Sequence, residues 1–231
     1  MSEDVEAHVR RLWRHHGTSL PTPRRGPRQQ LDLDEILDAA IELADAEGLA
    51  AVSTRAIAAR FGKTAMALYP YVGGKEQMLA LMQDHASAPP PAASIHTLTE
   101  WALAFFDLHR AHPWLTERPW AQSSQGPHER DWLERLLQIL ETAGTDPRSR
   151  TPTVTILYAT VRACAETSNA YDRMTRTGVA EWQAHQEAAA RQIPDLATRY
   201  PATAALPPLT ANWQEAPRQG LLAAVNLIAN P

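Results

Sequence analysis

The chain has 231 residues, 44% of them hydrophobic, a net charge of −4 and one cysteine, Cys164. That length carries a sizeable core, in one large domain or two small ones. A lone cysteine excludes an intramolecular disulfide framework and a Cys-based zinc site, and fits a reducing cytoplasm. No apolar run approaches the roughly 20 residues of a membrane span, and "MSEDVEAHVRRLWRHH" lacks the apolar core of a secretory signal.

The charge is unevenly placed. Ala7 to Leu31 holds Arg10, Arg11, Arg14, Arg24, Arg25 and Arg28 and no carboxylate. Gly48 to Lys75 holds Arg55, Arg60, Lys63 and Lys75, again with no carboxylate. Local patches steer association with a polyanion more than whole-chain charge does.

Along the chain, Val and Ile are sparse and strict alternation is absent, so an all-α fold is predicted. Asp4 to His16 reads as a short helix, with Leu12 and Trp13 to dock it on the helices beyond the arm. "GTSLPTPRRGPRQQ" reads as that arm, rich in Pro, Gly and Arg. Asp32 and Glu35 form a capping-box pattern at the head of a helix whose apolar face is Leu33, Ile36, Leu37, Ala40, Ile41 and Ala44. Gly48 ends it. Ser53 caps a short helix to Phe61, Gly62 makes a turn, and Thr64 opens another. Pro70 is expected to cut that helix to Thr64–Tyr69, because proline lacks the N–H and disfavours helical geometry before it. Gly74 and Lys75 open a helix to about Ala86.

"ASAPPPAAS" (Ala86 to Ser94) is the predicted domain boundary. Thr97 and Glu100 form a second capping box. Leu98, Trp101, Ala102, Phe105, His109 and His112 share a stripe that Pro113 stops. Helices are predicted over Pro127 to Thr142, Thr151 to about Thr177, Glu181 to Ile193 and Thr210 to Ala229, with a loop at "YPATAALPPL". The expected organisation is an N-terminal extension (1–23), a first helical domain (24–86) and a second helical domain (94–231).

Three short helices with a glycine turn between the second and third, flanked by arginines, suggest a helix-turn-helix. "ILDAAIELADAEG", "STRAIAARFG", "ALYPYV" and "GGKEQML" add much to that pattern. Together they closely resemble the DNA-binding domain of the TetR family of bacterial transcriptional regulators, over about Arg24 to His85. Beyond it, "HPWLTERPW", "WLERLLQILETAG" and the final amphipathic helix are similar to a common actinobacterial TetR-type ligand domain, so the resemblance implies a DNA-binding domain over 24–86 and a ligand-binding and dimerisation domain over 94–231. The resemblance implies a cytoplasmic homodimer that binds palindromic double-stranded operator DNA as a repressor and is released by a small-molecule inducer.

It also implies roles for single residues. Arg55 matches an arginine that reaches a guanine edge or a phosphate. Lys75 matches a phosphate-binding lysine, and a helix N-terminus there suits an anion. Thr64 and Tyr71 can donate to phosphates, and Tyr69 can lie along the groove wall. Ala65, Met66 and Ala67 cannot donate to bases but can pack on thymine methyl groups. Arg24, Arg25 and Arg28 would enter the minor groove or follow the phosphates. Leu68, Ile57 and Phe61 are assigned to packing. In the second half, Trp101, Phe105, His109, Trp132, Tyr158, Arg162 and Asn169 are candidates for an apolar inducer pocket with a few polar groups. Phe106, Trp114, Trp120, Tyr171 and Trp182 are further aromatics that could line it. The competing reading is core packing, with Arg162 and Glu166 an ordinary i,i+4 helix pair.

Enzyme chemistry is not indicated. His109 and His112 are three apart rather than four, and no di-iron Glu-x-x-His, nucleophile-elbow or phosphate-loop motif occurs. No cofactor or metal is expected. The alternative kept open is a helical small-molecule-binding or scaffold protein without operator binding.

Overall fold

The computed structural model describes residues 3–17, 31–90, 94–174, 176–205 and 215–229. These residues form helices, short helical turns and loops, with no strand among them. The arginine arm with Arg24, Arg25 and Arg28, Pro91 of the proline run, and Trp213 lie outside the described residues.

The N-terminal unit is built from α1 (Glu3–Leu12), α2 (Leu33–Glu47), α3 (Thr54–Arg60), α4 (Ala65–Val72) and α5 (Lys75–Ala86). Asp32 caps α2 by accepting from Asp34 N–H at 2.7 Å, while the Glu35 half of the expected box is not formed. The apolar stripe of α2 is buried as its period requires, with Ile36, Leu37 and Ala40 fully enclosed. Ile57, Leu68 and Val72 close the same core from α3 and α4.

The turn between α3 and α4 has a specific cause. Gly62 sits at φ 64°. Its N–H bonds Ala59 O at 3.1 Å, and Lys63 N–H bonds Ala58 O at 2.9 Å. This is the Schellman closure, whose left-handed residue carries the least strain when it is glycine.

Pro70 does not end α4, contrary to expectation. The helix runs from Ala65 to Val72 with Pro70 inside it. Only the bond that residue 70 would give to Met66 O is lost. Val72 is fully buried, and Gly73 N–H bonds Tyr69 O at 2.9 Å, so the last turn is held from both sides.

α1 packs on α4 and α5, as Leu12 and Trp13 suggested. Leu12 is buried in the same core, and Trp13 rests on it. Arg14 donates to Asp34 of α2 and to His85 Nδ1 of α5.

The second unit contains α6 (Leu98–Ala111), α7 (Pro127–Thr142), α8 (Pro147–Arg173), α9 (Arg176–Gln192), α10 (Leu196–Arg199), α11 (Pro201–Ala204) and α12 (Ala216–Ala229). The Thr97–Glu100 capping box is present in both directions. α8 starts at Pro147, ahead of the expected Thr151. Asp146 accepts from Arg148 N–H, and Pro147 takes the first helical position, where its missing N–H costs nothing. The last described helix is α12, the expected start at Thr210 lies outside the described residues, and part of the expected "YPATAALPPL" loop is α11. α6, α8 and α12 pack around a second core that includes Trp101, Phe105, Trp132, Leu157, Val161 and Leu221.

Two features join the units. Trp114 and Leu115, on a 3-10 turn at Pro113–Thr116, are buried in the core of the N-terminal unit rather than in their own. At the far end of α5, the Asp84 carboxylate accepts from His128 N–H at 3.1 Å and Glu129 N–H at 3.2 Å, capping α7 from outside its own chain segment.

Candidate nucleic-acid interface and ligand cavity

The surface formed by α3, α4 and the start of α5 carries the predicted DNA-contacting residues. Arg55, Thr64 and Lys75 are exposed. Among the described residues, Arg55 and Lys75 make no ion pair, whereas Arg60 is held by Glu42 at 3.5 Å and Ala39 O at 3.0 Å. Thr64 and Gly74 occupy the N-cap positions of α4 and α5, neither with a side-chain capping bond. The first N–H groups of both helices therefore have no side-chain cap, a form that suits phosphate oxygens. Between these donors Met66 is 74% exposed and Tyr69 45% exposed, while Ala65 and Ala67 are half-buried. Tyr71 is half-buried against the core. A face of two free cations, open helix ends and an exposed apolar side chain can bind a polyanion and touch base methyl groups.

Sequence reasoning missed a supporting contact. Arg11 of α1 donates to Pro70 O at 3.3 Å, so α1 braces the back end of α4. The only hint in the sequence was the arginine run itself, which read equally well as a phosphate-binding arm.

In the second unit, Phe105, His109, Trp132, Tyr158 and Arg162 line one cavity with Gln83, Ser87, Leu115 and Glu129. Phe105 is its hub, with ring centres 4.9 Å from Tyr158, 5.0 Å from Trp132 and 4.5 Å from His109. Two candidates fall outside the lining. Trp101 stacks behind Phe105 at 4.9 Å and gives its indole N–H to Trp132 O. Asn169 is spent on His109 O at 2.9 Å and on Arg110 at 2.9 Å. Trp114 faces the N-terminal unit, and Trp182 is exposed. The side chain of Trp120 lies outside the described residues.

The cavity is about 20 Å³, room for about one water. A second, outer pocket of about 230 Å³ is lined by Ser123, Gln125, Arg130 and Leu133 and shares Glu129 and Tyr158 with the inner one. Those two side chains are the partition between them. Glu129 is anchored by Ser123 Oγ at 2.5 Å and by Gln83 Nε2. Burial, aided by the Glu129 charge, pushes the Tyr158 phenol up, so it stays protonated.

The electrostatics of the inner wall are unusual. His109 gives Nδ1–H to Phe105 O at 2.9 Å, and its Nε2 accepts from Arg162 at 3.3 Å. Burial first, then the Arg162 charge, pushes His109 down to about 4. Arg162 does not form the expected pair with Glu166. It donates instead to three main-chain carbonyls, Leu115 O at 3.1 Å, Thr116 O at 3.3 Å and Arg118 O at 2.6 Å. Cys164 on the same helix has its thiol pushed up by burial, which disfavours the nucleophilic thiolate.

A family model described as "Bacterial regulatory proteins, tetR family" matches residues 36–82. The chain is 34% identical over 203 residues to the HTH-type transcriptional repressor DrrR1 of Streptomyces coeruleorubidus, covering 80% of this chain and 72% of that one. It superposes on Streptomyces coelicolor ActR in complex with actinorhodin at a TM-score of 0.65 and 25% identity, over 84% of this chain and 97% of that one. BioQ of Mycobacterium smegmatis shares the fold at a TM-score of 0.55 and 18% identity, over 70% and 97% of the two chains.

Proposed function

The chain belongs to the TetR family of bacterial regulatory proteins, DNA-binding transcriptional regulators and not enzymes, and from that premise we propose a homodimeric repressor released from a palindromic operator by a small aromatic or amphipathic ligand. The observation that carries the DNA half is the exposed face of α3–α5, where Arg55 and Lys75 make no ion pair among the described residues and Met66 stands 74% exposed between them. Arg55 reads a guanine edge or holds a phosphate, Thr64, Tyr71 and Lys75 hold phosphates, and Tyr69 lies on the groove wall. Ala65, Met66 and Ala67 pack on thymine methyls. Arg24, Arg25 and Arg28 follow the adjacent backbone or minor groove.

The second half, 94–231, dimerises and senses ligand. Pro152, Ile156, Ala159 and Ala163 of α8 form an exposed stripe without charge, and Gly220, Ala223 and Leu227 form another on α12. Ile156 is 52% exposed and Leu227 74% exposed, sizes of apolar side chain that a partner copy would cover. The repressor DrrR1 and the actinorhodin complex of ActR support the ligand-controlled reading. The aromatic cavity gives the ligand its place. At about 20 Å³ it must open to hold one, and the Glu129–Tyr158 partition is the route from the outer pocket. No described helix is long and apolar enough to cross a membrane, and a cytoplasmic site of action follows from operator binding.

The test is binding to the duplex upstream of the protein's own gene, with uracil replacing thymine one position at a time in each half-site. Loss of about 1 kcal/mol at one or more positions is expected, the scale of a good base contact. Unchanged affinity at every position would rule out the methyl contacts.

A further inference from the structure

Arg162 stands between the ligand cavity and a segment that is tied to α2 and α5 of the N-terminal unit. On the cavity side, its guanidinium forms part of the wall. On the other side, it holds the carbonyls of Leu115, Thr116 and Arg118. The segment it grips has two attachments to the N-terminal unit. Trp114, 1% exposed, fills that core and gives its indole N–H to Asp45 of α2 at 2.8 Å, with His112 beside it at 3.0 Å from the same carboxylate. Arg118, 6% exposed, gives Nε–H to Gln83 of α5 at 2.7 Å.

Arg162 meets no carboxylate within ion-pair distance among the described residues; its partners are three neutral carbonyls and a neutral imidazole. An anionic or bidentate pair of oxygens matches the guanidinium fork in both charge and geometry, which separate neutral carbonyls do not. A cavity ligand with such oxygens therefore competes for the guanidinium. Carbonyls deprived of it in a closed interior carry the desolvation cost of unpaired groups, so the segment that bears them shifts.

We propose that Arg162 is the positioning residue that transmits ligand binding to DNA: ligand oxygens draw its guanidinium from the 115–118 carbonyls, freeing the Trp114 wedge under α2 and the Arg118 strut on α5. This rests on the repressor reading above. The ligand acts because it binds the released arrangement more tightly than the clamped one, and the clamped one is the form that fits the operator.

The test uses the full-length protein without ligand. Arg162→Met removes every donor, and Arg162→Lys keeps one charged donor. Backbone amide exchange is read at Leu115, Glu117 and the last turn of α2, and operator affinity is measured in parallel. The expected result for Arg162→Met is exchange at all three places faster by about tenfold, with operator affinity weaker by a similar factor, as for an ordinary allosteric coupling. Arg162→Lys should fall between it and the wild type, and serves if Arg162→Met does not fold. Trp114→Phe, which keeps the ring but loses the bond to Asp45, should weaken operator binding too. Combined with Arg162→Met, it should weaken binding by less than the product of the two single losses. Unchanged exchange across 113–118, or faster exchange there with α2 and operator affinity unaffected, would overturn the proposal. If the wild type binds no operator, the repressor reading fails, while exchange in α2 still reports whether the clamp reaches the N-terminal unit.

Discussion

His109 shows how burial fixes a single residue's chemistry. Enclosed at 3% exposure, it is held neutral, with Nδ1–H bonded to Phe105 O and Nε2 facing Arg162. Its folded-state value of about 4 lies below the unfolded 6.5. Above pH 6.5 neither state binds the proton, so the stabilisation is complete. As pH falls toward 4, the unfolded chain takes up a proton that the folded chain refuses, and stability drops. The loss should reach about 3 kcal/mol, measured by urea unfolding between pH 7 and pH 4. His109→Phe should flatten that slope relative to wild type. Asp84, raised by its own burial, contributes with the opposite sign, but equally in both proteins. An equal slope in the two would show that His109 is not the buried base described. The identity of His109 as inward-facing was legible from its place on the α6 stripe. Its partner was not, because helical spacing pairs Arg162 with Glu166 on one helix and cannot see the carbonyls of a turn 44–47 residues away.

At the scale of elements, the capping residues told most of what the chain does locally. Ser53, Thr97 and Gly144 end or begin helices where their chemistry says, and α7 spans the expected Pro127–Thr142. At Pro70 a local rule about proline lost to tertiary packing of Val72 and bracing from Arg11. The joint of α5 and α7 is a second feature that no periodicity reveals. A Cβ at Gly126 would lie 2.2 Å from the Asp84 carboxylate, which is held by two N–H groups of α7 and has little freedom to retreat. Gly126→Ala should therefore destabilise the protein by about 1–3 kcal/mol, as overpacking does, lowering Tm by several degrees in calorimetry. A Tm equal to wild type would mean that Asp84 is free to move and does not fix the joint. Such a joint also places the stiff connection between the units at Gln83, Asp84 and Ser87, where Trp132 bonds Ser87 O at 2.8 Å, ahead of the proline run that composition singled out.

For the whole molecule, two helical cores were readable from amphipathic stripes and the "PPP" break, but their interlocking was not. Trp114 looks like one more aromatic of the second half; only the fold shows it inserted in the first. That insertion ties the two units together at α2 through Trp114 and at α5 through Arg118, the two helices that the proposed Arg162 clamp would reach. The central claim is that the α3–α5 face, doubled by a two-fold axis, binds a specific operator. It is tested most directly by fluorescence anisotropy with the duplex upstream of the gene and an unrelated duplex, across a series of salt concentrations, for wild type and Lys75→Ala. Two chains should bind per site, at least about a thousandfold more tightly than to unrelated DNA. Lys75→Ala should weaken binding to both duplexes and lower the salt slope by about 1 per protomer. Equal affinity for the two duplexes, or a Lys75→Ala variant with an unchanged salt slope, would contradict the account.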